Sequence, residues 1–301
     1  MSDLNRRART AAKGALRGYG MLTAGLRPGP DFVIVGAKRG GTTSLYNYVL
    51  EHPAIRPLFP SRQRIKGIHF FDTGFERGQR WYRSHFPVRP GRRAGRGRRP
   101  GACPPGGPLA GEASPYYLFH PLAAGRLAAA HPDVKIIMLL RDPVERAYSH
   151  YKERVRNGGE WLSFAEAIAA EPERLRGEAE RIVSEPGYRS VAHEDHSYLA
   201  QGRYLDMLPR WFGLFGREQF FIGASEDFYA DPPGLVSQVW AFLGLPPAAL
   251  ASRRRYNYHE APDLDPGLRS LLRGQFEEHN RALEDLLGRR LPWPSETGAR
   301  P

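Results

Sequence analysis

The feature that most constrains this chain is a short apolar run that ends in a glycine-rich turn and a helix start. Asp31-Phe-Val-Ile-Val-Gly36 is continuously apolar after its first residue. That pattern marks a strand buried on both faces of a parallel sheet. It leads into Gly36-Ala-Lys-Arg-Gly-Gly-Thr-Thr-Ser-Leu45, with a helix expected from Thr42 to about His52. At such a junction backbone N–H groups and the helix dipole hold a phosphate. Gly40 and Gly41 let the backbone approach an anion closely. Thr42, Thr43 and Ser44 add hydroxyl donors, and Lys38 and Arg39 add charge. A plain Gly-rich turn at a strand end is the bland alternative.

Gly36 and Gly41 keep the spacing of the nucleoside-triphosphatase loop GxxxxGK[ST], but Thr42 stands where that loop has its lysine. The cations precede the glycines instead. This displacement suits one phosphate in the cradle with a labile group beside it.

A second motif lies about a hundred residues on. Val134-Lys-Ile-Ile-Met-Leu-Leu140 is another buried strand, followed by Arg141-Asp-Pro. Pro143 suits a first helical position with Asp142 as its cap, and the helix should run to about Arg156. Arg141 then sits at the carboxyl edge of the sheet. Ser149, eight residues on, lies about two turns into the helix, on a face that can converge with it. The pair would grip a second phosphate through charge-assisted bonds. Alone, Arg-Asp-Pro reads equally as a capping turn with a surface arginine. As an N-cap, Asp142 is poorly placed to bind magnesium.

Gln219-Phe-Phe-Ile-Gly-Ala224 is a third strand, and Leu268, Leu271, Leu272, Phe276, Leu283, Leu286 and Leu287 mark a C-terminal amphipathic helix. Strands separated by helices imply a three-layer α/β fold with a central parallel sheet and its site at the carboxyl edge. The 301 residues suffice for one such domain. The expected division is an arm over 1–29, a domain over 30–294 and a tail over 295–301.

The net charge of +12 fits either a solvated basic surface or an anionic ligand. Part of it sits in segments that cannot build a core. Residues 1–29 carry six Lys or Arg and one acid, with Leu16, Met21, Leu22 and Leu26 interspersed. They read as a frayed tail or as a basic arm lying on an anionic membrane. Residues 89–108 are almost all Arg, Gly and Pro and read as a flexible inserted loop. With no interleaved aromatics, that loop is a poor nucleic-acid binder, and no specific nucleic-acid partner is expected. The single cysteine, Cys103, excludes an internal disulfide framework and a cysteine zinc site. No apolar run is long enough for a transmembrane helix or a secretory signal, so the cytoplasm is the expected compartment.

The loop at Lys38–Ser44 resembles the 5′-phosphosulfate loop of the sulfotransferases that use 3′-phosphoadenosine 5′-phosphosulfate (PAPS), whose common form is [KR]-x-G-T-[ST]. Arg141 and Ser149 resemble that family's 3′-phosphate motif. The resemblance runs from about Asp31 to Trp293, outside the Arg/Gly/Pro loop. It implies a P-loop-like fold, PAPS as donor with no metal, and a carbohydrate or glycolipid acceptor. By this resemblance Arg39, where most members have lysine, stabilises the leaving phosphate, with Lys38 sharing the task. Arg253-Arg-Arg-Tyr-Asn257 resembles the basic loop that covers the nucleotide, which places Arg254, Arg255 and Tyr256 at the cofactor, although its glycine is missing. Tyr204, in Ser197-Tyr-Leu-Ala-Gln-Gly-Arg-Tyr204, is a further candidate for the cofactor site. The Arg-rich composition points to a bacterial source.

The chain departs from the family where the chemistry should be. Lys66-Gly-Ile-His-Phe-Phe-Asp72 resembles the segment K-E-x-x-F-F, but the family's catalytic glutamate falls on Gly67. Glu112-Ala-Ser-Pro-Tyr-Tyr117 resembles E-K-[ST]-x-x-Y, but the active-site lysine falls on Ala113. His69 is the first candidate for a replacement base and Glu112 the second. Both have structural readings as well: a histidine packed beside Phe70 and Phe71, and a positioning carboxylate. Two rivals remain, a P-loop kinase or nucleotide hydrolase and a basic nucleic-acid-binding protein.

Overall fold

The computed structural model describes residues 14–61, 65–88, 107–250 and 263–294. Four strands, β1 (Phe32–Gly36), β2 (Gly111–Ala113), β3 (Lys135–Leu140) and β4 (Phe220–Ala224), form one parallel sheet in the order β2-β1-β3-β4. Three of them are the strands expected from apolar runs. β2 was not, because three residues carry no periodicity to read and two of them are Gly111 and Glu112.

Alternate residues of the central strands enter two separate cores. Val33, Val35, Ile136, Met138 and Leu140 pack on one face with Phe70, Tyr82 and Trp211. Phe32, Ile34, Ile137 and Leu139 pack on the other with Leu45, Phe228 and Trp240. Two-sided burial is why β1 and β3 read as unbroken apolar runs. The layers are helix, sheet, helix.

Helix α1 (Thr42–Val49) follows β1, and α2 (Pro143–Arg156) follows β3. Asp142 caps α2 by accepting from the N–H groups of Val144 and Glu145, with Pro143 at the first helical position. A short helix α3 (Val191–Asp195) and the longer α4 (Tyr204–Phe212) and α5 (Pro266–Leu287) complete the frame around the site.

The expected arm over 1–29 divides differently. Residues 14–22 are helical and dock onto residues 81–86. Gly20 allows the approach, since a Cβ there would meet the Ser84 carbonyl at 2.9 Å. Arg27 is fully buried, donates to the Phe86 carbonyl and lies 4.4 Å over the Phe59 ring. The packed structure therefore begins before Asp31. Among the described residues, no helix is long and apolar enough to cross a membrane.

Candidate functional site

The two segments expected to bind phosphate share one cavity of about 920 Å³ at the carboxyl edge of the sheet. The loop after β1 supplies Lys38, Arg39, Gly41, Thr42, Thr43 and Ser44, and α2 with its preceding turn supplies Arg141, Tyr148, Ser149 and Lys152.

The loop's shape follows from its glycines and from the strand beside it. Gly40 packs so tightly that a Cβ would lie 2.4 Å from the Leu139 carbonyl, and Gly41 is left-handed at φ 89°. Ser225 Oγ donates to the carbonyls of Gly40 (2.6 Å) and Leu140 (2.9 Å), tying the loop to the sheet edge. Gly41 is the N-cap of α1 and makes no side-chain cap bond. The N-cap thus brings no side chain of its own to the first N–H groups of α1, which suits an anion cradle.

Among the described residues only Arg39 (φ 70°) and His69 (φ 52°) combine a side chain with positive φ. Such strain persists only where the surroundings over-determine it, and it gathers at functional sites.

Arg39 bridges the two motifs. Its Nε donates to Ser149 Oγ (3.1 Å), one terminal nitrogen pairs with Glu153 (2.8 Å), and its carbonyl accepts from Arg141 (3.2 Å). Lys38 turns the other way. Its ammonium donates to the Glu194 carbonyl (2.8 Å) and to Asp195 (3.0 Å), away from the hydroxyls of the loop.

The cation that stands against those hydroxyls is Lys66, at 3.2 Å from Thr42 Oγ1 and 2.9 Å from Thr43 Oγ1. It was not among the residues singled out, although it opens the Lys66–Asp72 segment quoted above. Its place next to the loop depends on chain packing, and that motif was its only signal. Burial, reinforced by the Arg39 charge, lowers the Lys66 ammonium to about 8, against a smaller opposing effect of Glu153. A phosphate beside it would hold it charged.

His69 lines the same cavity, with 41% of its side chain exposed. Its Nδ1 lies 2.7 Å from Asp72 Oδ2. A carboxylate only accepts, so Nδ1–H donates and Nε2 is left as the acceptor. Burial pushes the imidazole down, but the hydrogen bond and charge of Asp72, helped by Glu112 and Glu194, outweigh it and His69 is raised.

Gly67 cannot simply be replaced by the family's glutamate, because a Cβ there would meet the Ala113 carbonyl at 2.6 Å and Ser114 Oγ at 3.0 Å. Here the segment lies flat against β2.

Glu112 does not reach the cavity. It has no exposed surface and accepts from Ile68 N–H (2.8 Å), Ser114 Oγ (2.6 Å), Tyr82 OH (3.0 Å) and Tyr117 OH (2.9 Å). Tyr117 OH in turn accepts from the N–H groups of Phe70 and Phe71. Burial raises its carboxyl despite these bonds. Glu112 thus fixes the backbone on either side of His69, a positioning role that sequence could not separate from that of a base.

Tyr204 does not line the cavity either. It is fully buried, and its hydroxyl donates to the Arg141 carbonyl (2.9 Å), so it positions Arg141 from behind. Gly40 likewise lies beneath the loop. Arg254, Arg255 and Tyr256 lie outside the described residues, as do Cys103 and all of 89–108 but its last two residues.

Comparisons with known proteins point to one family. The family model described as a sulfotransferase domain matches residues 29–260. The solved structure of a sulfotransferase from Alicyclobacillus acidocaldarius is 33% identical, covers 87% of this chain and 97% of that one, and superposes with a TM-score of 0.63. Heparan sulfate glucosamine 3-O-sulfotransferase 6 of Homo sapiens is 30% identical over 73% of this chain and 54% of its own length. The bifunctional heparan sulfate N-deacetylase/N-sulfotransferase 4 of Mus musculus is 27% identical over 79% of this chain. The match spans 24% of that protein, so the chain corresponds to about a quarter of it.

Proposed function

The chain belongs to the sulfotransferase-domain family, and from that premise we propose that it transfers a sulfuryl group from PAPS to a hydroxyl or amine of a carbohydrate or glycolipid. The observation that carries this reading is the shared cavity, in which the loop of Thr42–Ser44, Lys66, Arg141 and Ser149 face one space. A donor with a 5′-phosphosulfate and a 3′-phosphate needs two anion sites on one ligand. A kinase or nucleotide hydrolase using ATP needs no second phosphate pocket.

The residues fit that donor. The N–H groups at the start of α1 and the hydroxyls of Thr42 and Thr43 would hold the 5′-phosphate. Arg141 and Ser149 would hold the 3′-phosphate, with Arg39 between the two. Lys66 is the cation best placed for the leaving phosphate oxygen, in place of the loop's own Arg39. Sulfuryl transfer resembles phosphoryl transfer, in which positioning and electrostatics do most of the work. His69 Nε2 would take the acceptor proton, with Asp72 fixing the tautomer and stabilising the imidazolium.

Calorimetric titration with adenosine 3′,5′-bisphosphate, beside ATP with magnesium, tests the donor. The expected result is tight bisphosphate binding, weak ATP binding, and loss of affinity in Arg141→Ala. Preference for ATP would return the kinase reading.

A further inference from the structure

The same cavity is lined by Gly67, His69, Ala113, Pro115, Tyr116 and Glu194, none of which belongs to the loop after β1 or to α2. Among these the acid and the imidazole are Glu194 and His69, and neither is a fixed cation. Lys38 and Lys66, which line the cavity as well, are already engaged, Lys38 with Asp195 and the Glu194 carbonyl and Lys66 with the threonine hydroxyls.

The Glu194 carboxylate makes no hydrogen bond or ion pair with the described residues, whereas its neighbour Asp195 is paired with both Lys38 and Arg154. Its backbone is nonetheless firmly held. The Glu194 carbonyl accepts from Lys38 and from Gln201 Nε2 (3.1 Å). The preceding His193 stacks on Phe119 at 4.2 Å and bonds Tyr116 OH through Nδ1 at 2.8 Å. A rigid mount with an unpaired carboxylate facing a cavity is the arrangement of a recognition group. A merely solvated acid would have no need of the mount. Burial raises this carboxyl, and the Lys38 charge opposes that rise.

We propose that Glu194 reads the acceptor, and that the acceptor is a neutral or amine-bearing molecule rather than a polyanion. This rests on the donor reading above. Two of the relatives are named for heparan sulfate, a polyanion, whereas the unpaired ionisable group beside His69 here is a carboxylate, Glu194. Gly67 and Ala113 leave out one carboxylate and one ammonium of the family pattern, which cancel in charge, and Glu194 stands as a negative group beside His69. A neighbouring hydroxyl of the acceptor, or a second N–H of its amine, donates to Glu194 while His69 Nε2 takes the proton of the group that attacks sulfur. The new S–O or S–N bond forms as the sulfur–oxygen bond to the 5′-phosphate breaks. The electron pair of the broken bond stays on that phosphate, beside Lys66. An anionic group at the same place would meet like charge, which disfavours wrong partners strongly.

The test titrates three tetrasaccharides into the full chain, with and without saturating adenosine 3′,5′-bisphosphate: a glucosamine tetramer (cationic), an N-acetylglucosamine tetramer (neutral) and heparosan (anionic). The proposal expects the first two to bind at least about ten-fold more tightly than heparosan. Glu194→Lys should reverse that order, and Glu194→Gln should flatten it. Both variants should bind the bisphosphate as the unaltered chain does, which also shows that they fold. With a sulfated acceptor in hand, Glu194→Gln should also move the acid limb of the pH–rate profile to lower pH, because one of the charges that raises His69 is gone. The other charged groups that act on His69, Asp72 and Glu112, stay in place. Preference for heparosan in the unaltered chain, an unchanged order in Glu194→Lys, or no binding of either non-anionic probe overturns the proposal. Failure to bind the bisphosphate overturns the donor reading instead, and the tetrasaccharide titrations without nucleotide still report on Glu194.

Discussion

One set of cavity-lining residues, Arg39, Lys66, Arg141 and Lys152, accompanies the hydroxyls at the start of α1; another, His69 and Glu194, stands with Gly67, Ala113, Pro115 and Tyr116. The first set keeps close to the family pattern and the second departs from it. The difference has a physical source. A nucleotide with two phosphates imposes fixed positions for charge, so the elements that meet it have little freedom. An acceptor imposes only a proton to remove and a shape to admit, and several groups can meet that demand. The second set is therefore where substitution of the family glutamate and lysine by Gly67 and Ala113 could be absorbed.

That contrast can be broken by mutation. The largest effect should come from His69→Ala, with turnover reduced by roughly 100- to 10,000-fold while bisphosphate affinity is kept. Equal loss of both would mean that the two sets are not separable. Lys66→Ala comes next, with an expected loss of roughly 100- to 1,000-fold in kcat, as for the removal of one preorganised group from a developing charge. If Arg39→Ala costs more in kcat than Lys66→Ala, the leaving-phosphate role returns to the loop's own arginine. Arg141→Ala should act mainly on donor affinity, by roughly ten-fold or more, since hydrogen bonds to charged groups contribute about 1.5–3 kcal/mol. Calorimetry with the bisphosphate reads it directly.

The pH profile of kcat/KM sharpens the comparison further, because each set titrates on its own limb. As the proposed base, His69 would work as the neutral imidazole; it is raised above its ordinary value, so the rate should climb with pH through that raised value. Lys66 works charged and is lowered to about 8 in the free protein, so the rate should fall as pH passes it. Asp72→Asn removes a hydrogen bond and a charge that raise His69, and it should move the acid limb to lower pH and leave the alkaline limb in place. The smallest effect on chemistry belongs to Glu112→Gln. An amide would present N–H donors to a site built entirely of donors, so about 1–3 kcal/mol of stability should be lost in chemical denaturation. Loss of turnover without loss of stability would instead place Glu112 in the reaction.

Much of this was legible in the chain. β1 and β3 announced themselves because two-sided burial leaves no polar residue in the run, and the Asp142–Pro143 cap set the start of α2 to the residue. Gly40, Gly41 and the hydroxyls of Thr42–Ser44 are local chemistry in a local turn, and the order of residues was enough to find them. The spacing of Arg141, in the turn before α2, and Ser149, within α2, was equally local. What depends on local backbone geometry is written in the sequence. What depends on which distant segment lies alongside was decided only by the tertiary structure. Lys66 reaches Thr42 and Thr43 across 24 and 23 positions, Arg39 reaches Ser149 across 110, and Lys38 is drawn off to Asp195 across 157. The same packing buried Glu112 beneath Tyr82 and Tyr117 and left His69 at the cavity wall, a choice between two candidate bases that no spacing encodes. Side-chain direction and burial are properties of the assembled core, and a residue's neighbours in the chain do not carry them.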